Sequence, residues 1–293
     1  MVVFYRRMPR FDYFRPASLG EALAALDAEV PLKDQVYAGG TDLMPKLKAR
    51  SVKAPKCVID LKGIPGLDYV RWNAATGLHI GALATVTKVT SEPAVRAHYA
   101  ALYEGASVIA SDQIQHRATI AGNVCNAVPS ADSIPALLVH DAEVVCISSS
   151  GERTVALKDF FLGPGQVALN GAELVKEIRL PPPVAGERTT YLKLAPRGRM
   201  DLAVVGAAVS ITVDGGVVRA ARIALGSAAP IPKRATEAEA VLVDQALTPA
   251  VIDAAAKRAA QHAFTRSSHR ASAEYRTLML DVLVRRALSK LAS

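Results

Sequence analysis

Two short glycine-bearing segments, AGGTDL at residues 38–43 and TIAGN at residues 119–123, lie some eighty residues apart, each after an apolar or mixed strand-like stretch. Read together, they are two halves of a divided pyrophosphate cradle. In the first, Gly39 and Gly40 let the backbone take left-handed angles and approach a ligand closely. Consecutive N–H groups can then converge on phosphate oxygens, with the Thr41 hydroxyl as a further donor. The alternative for the same glycine pair is a plain loop. Neither segment carries a general base, a nucleophile or a metal cluster, so the chemistry implied is that of a bound cofactor, which the protein holds and tunes.

The flanking polar residues leave choices open. Asp42 speaks against a phosphate at its own position and can cap the helix that follows. In the second segment Thr119, Gly122 and Asn123, with Ser130 beyond, supply short polar donors. Asp132 stands at the start of an apolar helix, where it can accept from ribityl or ribose hydroxyls or serve as an N-cap. Arg117 faces either a phosphate or solvent. His116 beside it is the one histidine next to either turn, and a surface or capping role fits it better than that of a base.

The intervening sequence reads as alternating helices and strands. FRPASLGEALAALDAE carries a capping-box pattern, Ser18 with Glu21, and then apolar residues at helical period. QVYAGG is a strand entering a turn, KCVIDL and GLHIGALAT are further strands, and Thr85 opens a helix. Residues 93–107 are helical, TIAGNVCN is a turn region, SADSIPALLVHDAEVVCI is helix then strand, and ELVKEIRLPPP is a strand closed by prolines. Pro181, Pro182 and Pro183 mark the expected boundary between a domain at 1–180 and a second at 181–293. In the second, AVVGAAVSITVDGGVVRAARIALGSA predicts an antiparallel hairpin turning at Asp214, Gly215 and Gly216. Helices at 236–243, 249–263 and 271–291 follow, the last with Leu278, Val282 and Ala287 near one face.

Composition narrows the function classes. The 293 residues, 51% hydrophobic and 21% charged, suit two globular domains with real cores. Neither a cleavable leader nor an uncharged membrane span is visible, so a cytoplasmic protein is expected. Cys57, Cys125 and Cys146 are too few and too scattered for an iron–sulfur or zinc site. Cys57 and Cys146 lie in apolar strands as packing residues, and only Cys125 falls near a turn. The net charge of +8 is concentrated in residues 181–293, which hold 16 Lys and Arg against 9 Asp and Glu. Those cations are scattered along helical patterns without interleaved aromatics, which disfavours nucleic acid and suits an acidic protein partner or solvated faces.

The order and spacing of AGGTDL, the GALAT strand, RATIAGN, PSADSIPAL, the proline-closed strand, YLKLAPR and the terminal ASAEYRTLMLDVLVRRAL resemble one family across nearly the whole chain. It is the FAD-binding medium subunit of the molybdenum hydroxylases, the group of xanthine dehydrogenase and carbon monoxide dehydrogenase. The resemblance implies an α+β architecture: a PCMH-type FAD-binding domain of two α/β subdomains, then a smaller domain of antiparallel sheet plus helices. It also implies that Ala38, Gly39, Gly40, Thr41, Asp42 and Leu43, with Thr119, Ile120, Ala121, Gly122 and Asn123, hold the FAD pyrophosphate and ribityl. Asp132 is then placed at the sugar or ribityl region and Lys193 near the flavin ring, where a cation favours the reduced, anionic flavin. The alternative for Lys193 is a solvated strand lysine. The family pattern TIGGN is altered here to Ala121, so that position must accept a methyl group at negative φ. A cysteine-bearing insertion typical of the 4-hydroxybenzoyl-CoA reductase subgroup is missing from the sequence.

In function, the resemblance implies an electron relay. A large subunit with the molybdenum cofactor hydroxylates its substrate, a small subunit with [2Fe–2S] clusters passes single electrons on, and FAD on this chain delivers them in pairs to an external acceptor. The expected assembly is a dimer of heterotrimers. No residue of this chain is assigned a catalytic or metal-binding role. Two rivals are a stand-alone FAD-dependent oxidoreductase of the same superfamily, which needs its own acid or base beside the flavin, and a non-enzymatic nucleotide-binding protein.

Overall fold

The computed structural model describes residues 7–28 and 36–292. The first residues of the N-terminal segment, the last of the first helical pattern and Gln35 of the QVYAGG strand lie outside that range. The chain opens with β1 (Asp12–Phe14), α1 (Leu19–Ala28), β2 (Val36–Tyr37), α2 (Leu43–Ala49) and β3 (Cys57–Asp60). The strands form a parallel sheet in the order β1-β3-β2. Parallel neighbours need crossovers, and α1 and α2 supply them. The capping box forms with one shift: the Glu21 N–H donates to Ser18 Oγ at 3.2 Å, while the Glu21 carboxylate accepts from Ala17 N–H at 2.9 Å, one residue before the cap.

A second α/β unit follows. β4 (Val70–Asn73) and β5 (Gly77–Gly81) lead into α3 (Val86–Ser91), α4 (Pro93–His98), α5 (Ala100–Ser107), α6 (Asp112–Gln115), α7 (Ile120–Asn126) and α8 (Ser133–Val139). The chain returns through β6 (Glu143–Ser148), β7 (Gly151–Ala156), α9 (Leu157–Phe160), the short pair β8 (Phe161–Gly163) and β9 (Gln166–Val167), and β10 (Leu174–Leu180). Its five strands run antiparallel in the order β4-β5-β10-β6-β7. Residues 93–107 are not one helix. Tyr99 breaks them with φ −130° and ψ 55°, because its ring is fully buried and its hydroxyl donates to the Pro181 carbonyl at 3.0 Å.

Beyond the prolines, β11 (Glu187–Leu194), β12 (Val205–Asp214), β13 (Val217–Gly226) and β14 (Lys233–Arg234) make an antiparallel sheet in chain order. The β12–β13 hairpin turns at Asp214, Gly215 and Gly216 as the sequence predicts. α10 (Thr236–Leu242), α11 (Pro249–Gln261) and α12 (Ala273–Ala292) cover one face. β12 is buried on both sides. Val205, Val209 and Ile211 face the helices, and Ala208 faces the core shared with α5 and α8. Full burial of each Val or Ile contributes about 1.5–3 kcal/mol, whereas the half-exposed Arg285–Asp253 ion pair between α12 and α11 adds about 1 kcal/mol at most. Apolar burial therefore holds the helical layer. The packed face of α12 is Leu280, Leu283, Val284, Ala287 and Leu288, while Leu278 is 61% exposed, so of the three predicted face residues only Ala287 is buried.

Candidate cofactor-binding site

The two glycine segments meet. A Cβ on Gly39 would overlap the carbonyl oxygen of Arg117 and come within 2.9 Å of the Ala118 α-carbon. Gly40 sits at φ +73°, and a Cβ there would overlap the Tyr37 ring. The glycine pair is thus required by close chain approach and a left-handed turn. The Ala38 carbonyl is fixed as well: Lys62 Nζ donates to it at 3.1 Å and to Asp60 Oδ1 at 2.6 Å while lying over the Tyr37 ring. Burial opposes ionisation of Asp60, but bonds from Lys62 and Tyr13 outweigh it and hold the carboxyl below its ordinary range.

The second segment differs from the turn the sequence suggests. Thr119 is the N-cap of α7, and its hydroxyl accepts from Gly122 N–H at 3.0 Å. Ala121 lies inside the helix with a buried methyl group, and it is not among the positive-φ residues. The replacement of glycine at this position is accommodated for that reason. α3 starts alongside, capped by Thr85, which forms a bridge with Thr119, and Val86 N–H donates to the Ala118 carbonyl at 2.8 Å.

Between these elements lies a cavity of about 710 Å³, within the size range of sites that enclose small molecules and cofactors. Ala38, Gly39, Gly40, Thr41, Asp42 and Leu43 line it from the first unit. Thr119, Ala121, Gly122, Asn123, Ser130 and Asp132 line it from the second. The C-terminal sheet domain contributes Met200, Asp201 and Leu202. This last segment is fastened beside Ile109 and Ala110, where Met200 N–H donates to the Ala110 carbonyl at 3.3 Å. Ile120 faces away, fully buried in the core, and Arg117 and His116 are exposed and do not line the cavity. His116 Nδ1 lies 2.7 Å from the Asp112 carbonyl, which is a capping contact.

Both carboxylates expected as possible caps do something else. Asp42 occupies the N-cap position of α2 with no side-chain cap bond. Asp132 occupies that of α8, also without a cap bond. Instead its Oδ1 accepts from Tyr191 Oη at 2.8 Å and its Oδ2 meets Lys193 Nζ at 2.8 Å. Burial pushes the Asp132 carboxyl up, and Lys193 and Tyr191 counter part of that rise; burial beside Asp132 in turn raises the Tyr191 phenol well above its ordinary value. Lys193, also bonded to the Val108 carbonyl, stands behind Asp132 rather than in the lining, and at 11% side-chain exposure it is no solvated strand lysine. Asn123 is oriented by Ser133, whose hydroxyl donates to Asn123 Oδ1 at 2.7 Å and leaves the amide N–H₂ available. Cys125 lines the cavity while packing on the core.

Sequence reasoning passed over Lys46 and Tyr191. Lys46 follows Leu43 by one helical turn on α2, a spacing that puts both on one face of the helix. Tyr191 alternates with Lys193 on β11, so the two share a sheet face. Among the described residues, no group of three or more His, Cys, Asp or Glu side chains could hold a metal ion.

The family model described as the FAD binding domain in molybdopterin dehydrogenase matches residues 9–183, which carry both glycine segments and most of the cavity wall. The chain belongs to the molybdopterin dehydrogenase flavoprotein family. A second model, the CO dehydrogenase flavoprotein C-terminal domain, matches residues 190–291. Similar curated proteins are the nicotinate dehydrogenase FAD-subunit of Eubacterium barkeri, 35% identical with 84% of each chain covered, and the xanthine dehydrogenase FAD-binding subunit of Escherichia coli O157:H7, 32% identical with 95% of each covered. Among solved structures, the carbon monoxide dehydrogenase of Hydrogenophaga pseudoflava that lacks the Mo-pyranopterin moiety of its molybdenum cofactor superposes with a TM-score of 0.91 at 36% identity, covering 97% of each chain. Members of this flavoprotein family are dehydrogenase subunits that bind FAD, and the α+β architecture implied by the sequence resemblance is the one observed.

Proposed function

We propose that this chain is the electron-transfer subunit of a heteromeric molybdenum hydroxylase, taking electrons from [2Fe–2S] clusters on a small partner and passing them to an external acceptor. The observation that carries the reading is the single cavity floored by both glycine segments, whose residues fit FAD. Backbone groups at Gly39, Gly40 and Thr41, together with the start of α7 at Thr119, offer N–H and hydroxyl donors to the diphosphate. Asn123 presents its amide, and Asp132, braced by Tyr191 and Lys193, presents its carboxyl group to the ribityl or sugar hydroxyls. Lys193 stands outside the lining, paired with Asp132 and donating to the Val108 carbonyl.

Bound there, FAD supplies the capacity to collect single electrons and release them in pairs. The protein contributes binding, exclusion of water and a fixed charge. The molybdenum cofactor and the clusters belong, on this reading, to the large and small subunits, and the assembly is a dimer of heterotrimers in the cytoplasm. Among the described residues no helix is long and apolar enough to cross a membrane. The division of labour falls at residue 180, with 1–180 as the FAD domain and 181–293 completing the cavity wall. The test is the absorption spectrum of the purified chain and acid release of its flavin: FAD in the supernatant supports the reading, and a colourless chain that takes up no FAD overturns it.

A further inference from the structure

We infer that Lys46 is the diphosphate-pairing cation of the FAD cavity, a role that rests on the FAD reading above and goes beyond the glycine segments. Four carboxylates line the cavity: Asp42, Asp132, Glu173 and Asp201. Three are paired with cations outside the lining, Glu173 with Arg153, Asp132 with Lys193 and Asp201 with Arg197. Lys46 is the one cation among the described lining residues. Its Nζ donates to Asn126 Oδ1, across the cleft from the other α/β unit, and among the described residues no carboxylate pairs with it. Among the described residues, the hydrogen-bond partner of its ammonium is therefore a neutral amide oxygen.

A diphosphate brings two negative charges into a half-enclosed site, where an anion unmatched by positive charge is strongly disfavoured. The glycine segments and the start of α7 offer neutral donors, and a helix terminus contributes only about half an elementary charge. Lys46 supplies a full charge at the same cavity. Asn126 is buried and holds the lysine head at the cleft, a partner the ammonium can keep or exchange without leaving a carboxylate unpaired. Lys46 and Leu43 stand one turn apart on α2 and both line the cavity, so the lysine enters it from a helix.

The experiment is FAD titration of the full-length apo chain, followed by flavin fluorescence at low and high potassium chloride, for the unmodified chain, Lys46→Gln and Lys46→Arg, with circular dichroism confirming that each folds. Loss of one charge-assisted contact predicts a Kd for Lys46→Gln raised about 10- to 100-fold at low salt. That gap narrows at high salt, and Lys46→Arg stays near the unmodified value. An unchanged Kd for Lys46→Gln, or a loss undiminished by salt, overturns the inference and reduces Lys46 to a bridge between the two units. Failure of the unmodified chain to bind FAD at either salt overturns the FAD reading itself, and the inference with it.

Discussion

Asp132 and Lys193 face each other at 2.8 Å, one opening α8 of the cavity wall and the other on β11 of the C-terminal sheet. The pair joins the two halves of the molecule at the cavity. Neither side chain is more than 11% exposed, so removal of the cation leaves a buried carboxylate without its counter-charge.

Lys193→Met is therefore destabilising, by about 3–5 kcal/mol at pH 8. The sign of its pH dependence comes from Asp132, whose folded-state carboxyl titrates above its unfolded value. A group raised in this way gives stability that is complete below the unfolded value and lost as pH rises through the folded one. The Lys193→Met deficit is then largest in mild alkali and shrinks toward acid, as Asp132 takes up a proton. Urea unfolding at pH 5 and pH 8 reads this directly; a deficit independent of pH, or none, contradicts the pairing.

Gly39→Ala forces the two glycine segments apart, because the new methyl group meets the Arg117 carbonyl, which is backbone and cannot rotate away. Overpacking of this kind costs about 1–3 kcal/mol, and FAD affinity falls with it. Gly198→Ala is the matched control, since nothing lies within 4 Å of a Cβ there. Equal melting temperatures and equal FAD affinities for the two variants would show that the segments do not meet.

His140 makes stability fall in acid. Its ring is buried edge-on to Tyr99, its Nε2 has no hydrogen-bond partner among the described residues, and burial, with Arg222 nearby, pushes its pKa down to about 3. A group lowered in this way gives stability that is complete above its unfolded value near 6.5 and lost as pH falls toward the folded one. Between pH 6.5 and pH 5 it accounts for a loss of about 2 kcal/mol. His140→Gln removes that part of the slope, and an identical acid profile in the two proteins would show that the ring is accessible to protons.

Much of this was legible in the sequence, for physical reasons that also mark where legibility stopped. The β12–β13 hairpin and the helices α10 and α11 arise from turn chemistry and local period, which act within a dozen residues. The glycine segments pointed to the cavity, yet part of the reason for Gly39 is the backbone of Arg117, a contact that no local pattern records. TIAGN read as a turn because its short polar residues suit one; the Thr119 cap and the methyl group of Ala121 make it a helix start. Asp132 and Lys193 carried local alternatives, cap and solvated lysine, that tertiary pairing displaced. The break at Tyr99 depends on the Pro181 carbonyl, and the choice of face on α12 depends on β12, which lies far away in sequence.

On the proposed reading, this chain carries FAD as one member of a relay whose other redox groups sit on partner subunits. Native mass spectrometry of the assembly purified through this chain, with flavin, iron and molybdenum measured on the same sample, tests it most directly. The expected result is one FAD for each copy of this chain, in a complex with an iron–sulfur subunit and a molybdenum subunit at equal stoichiometry. A monomer or homodimer that oxidises an organic substrate with neither iron nor molybdenum would contradict it.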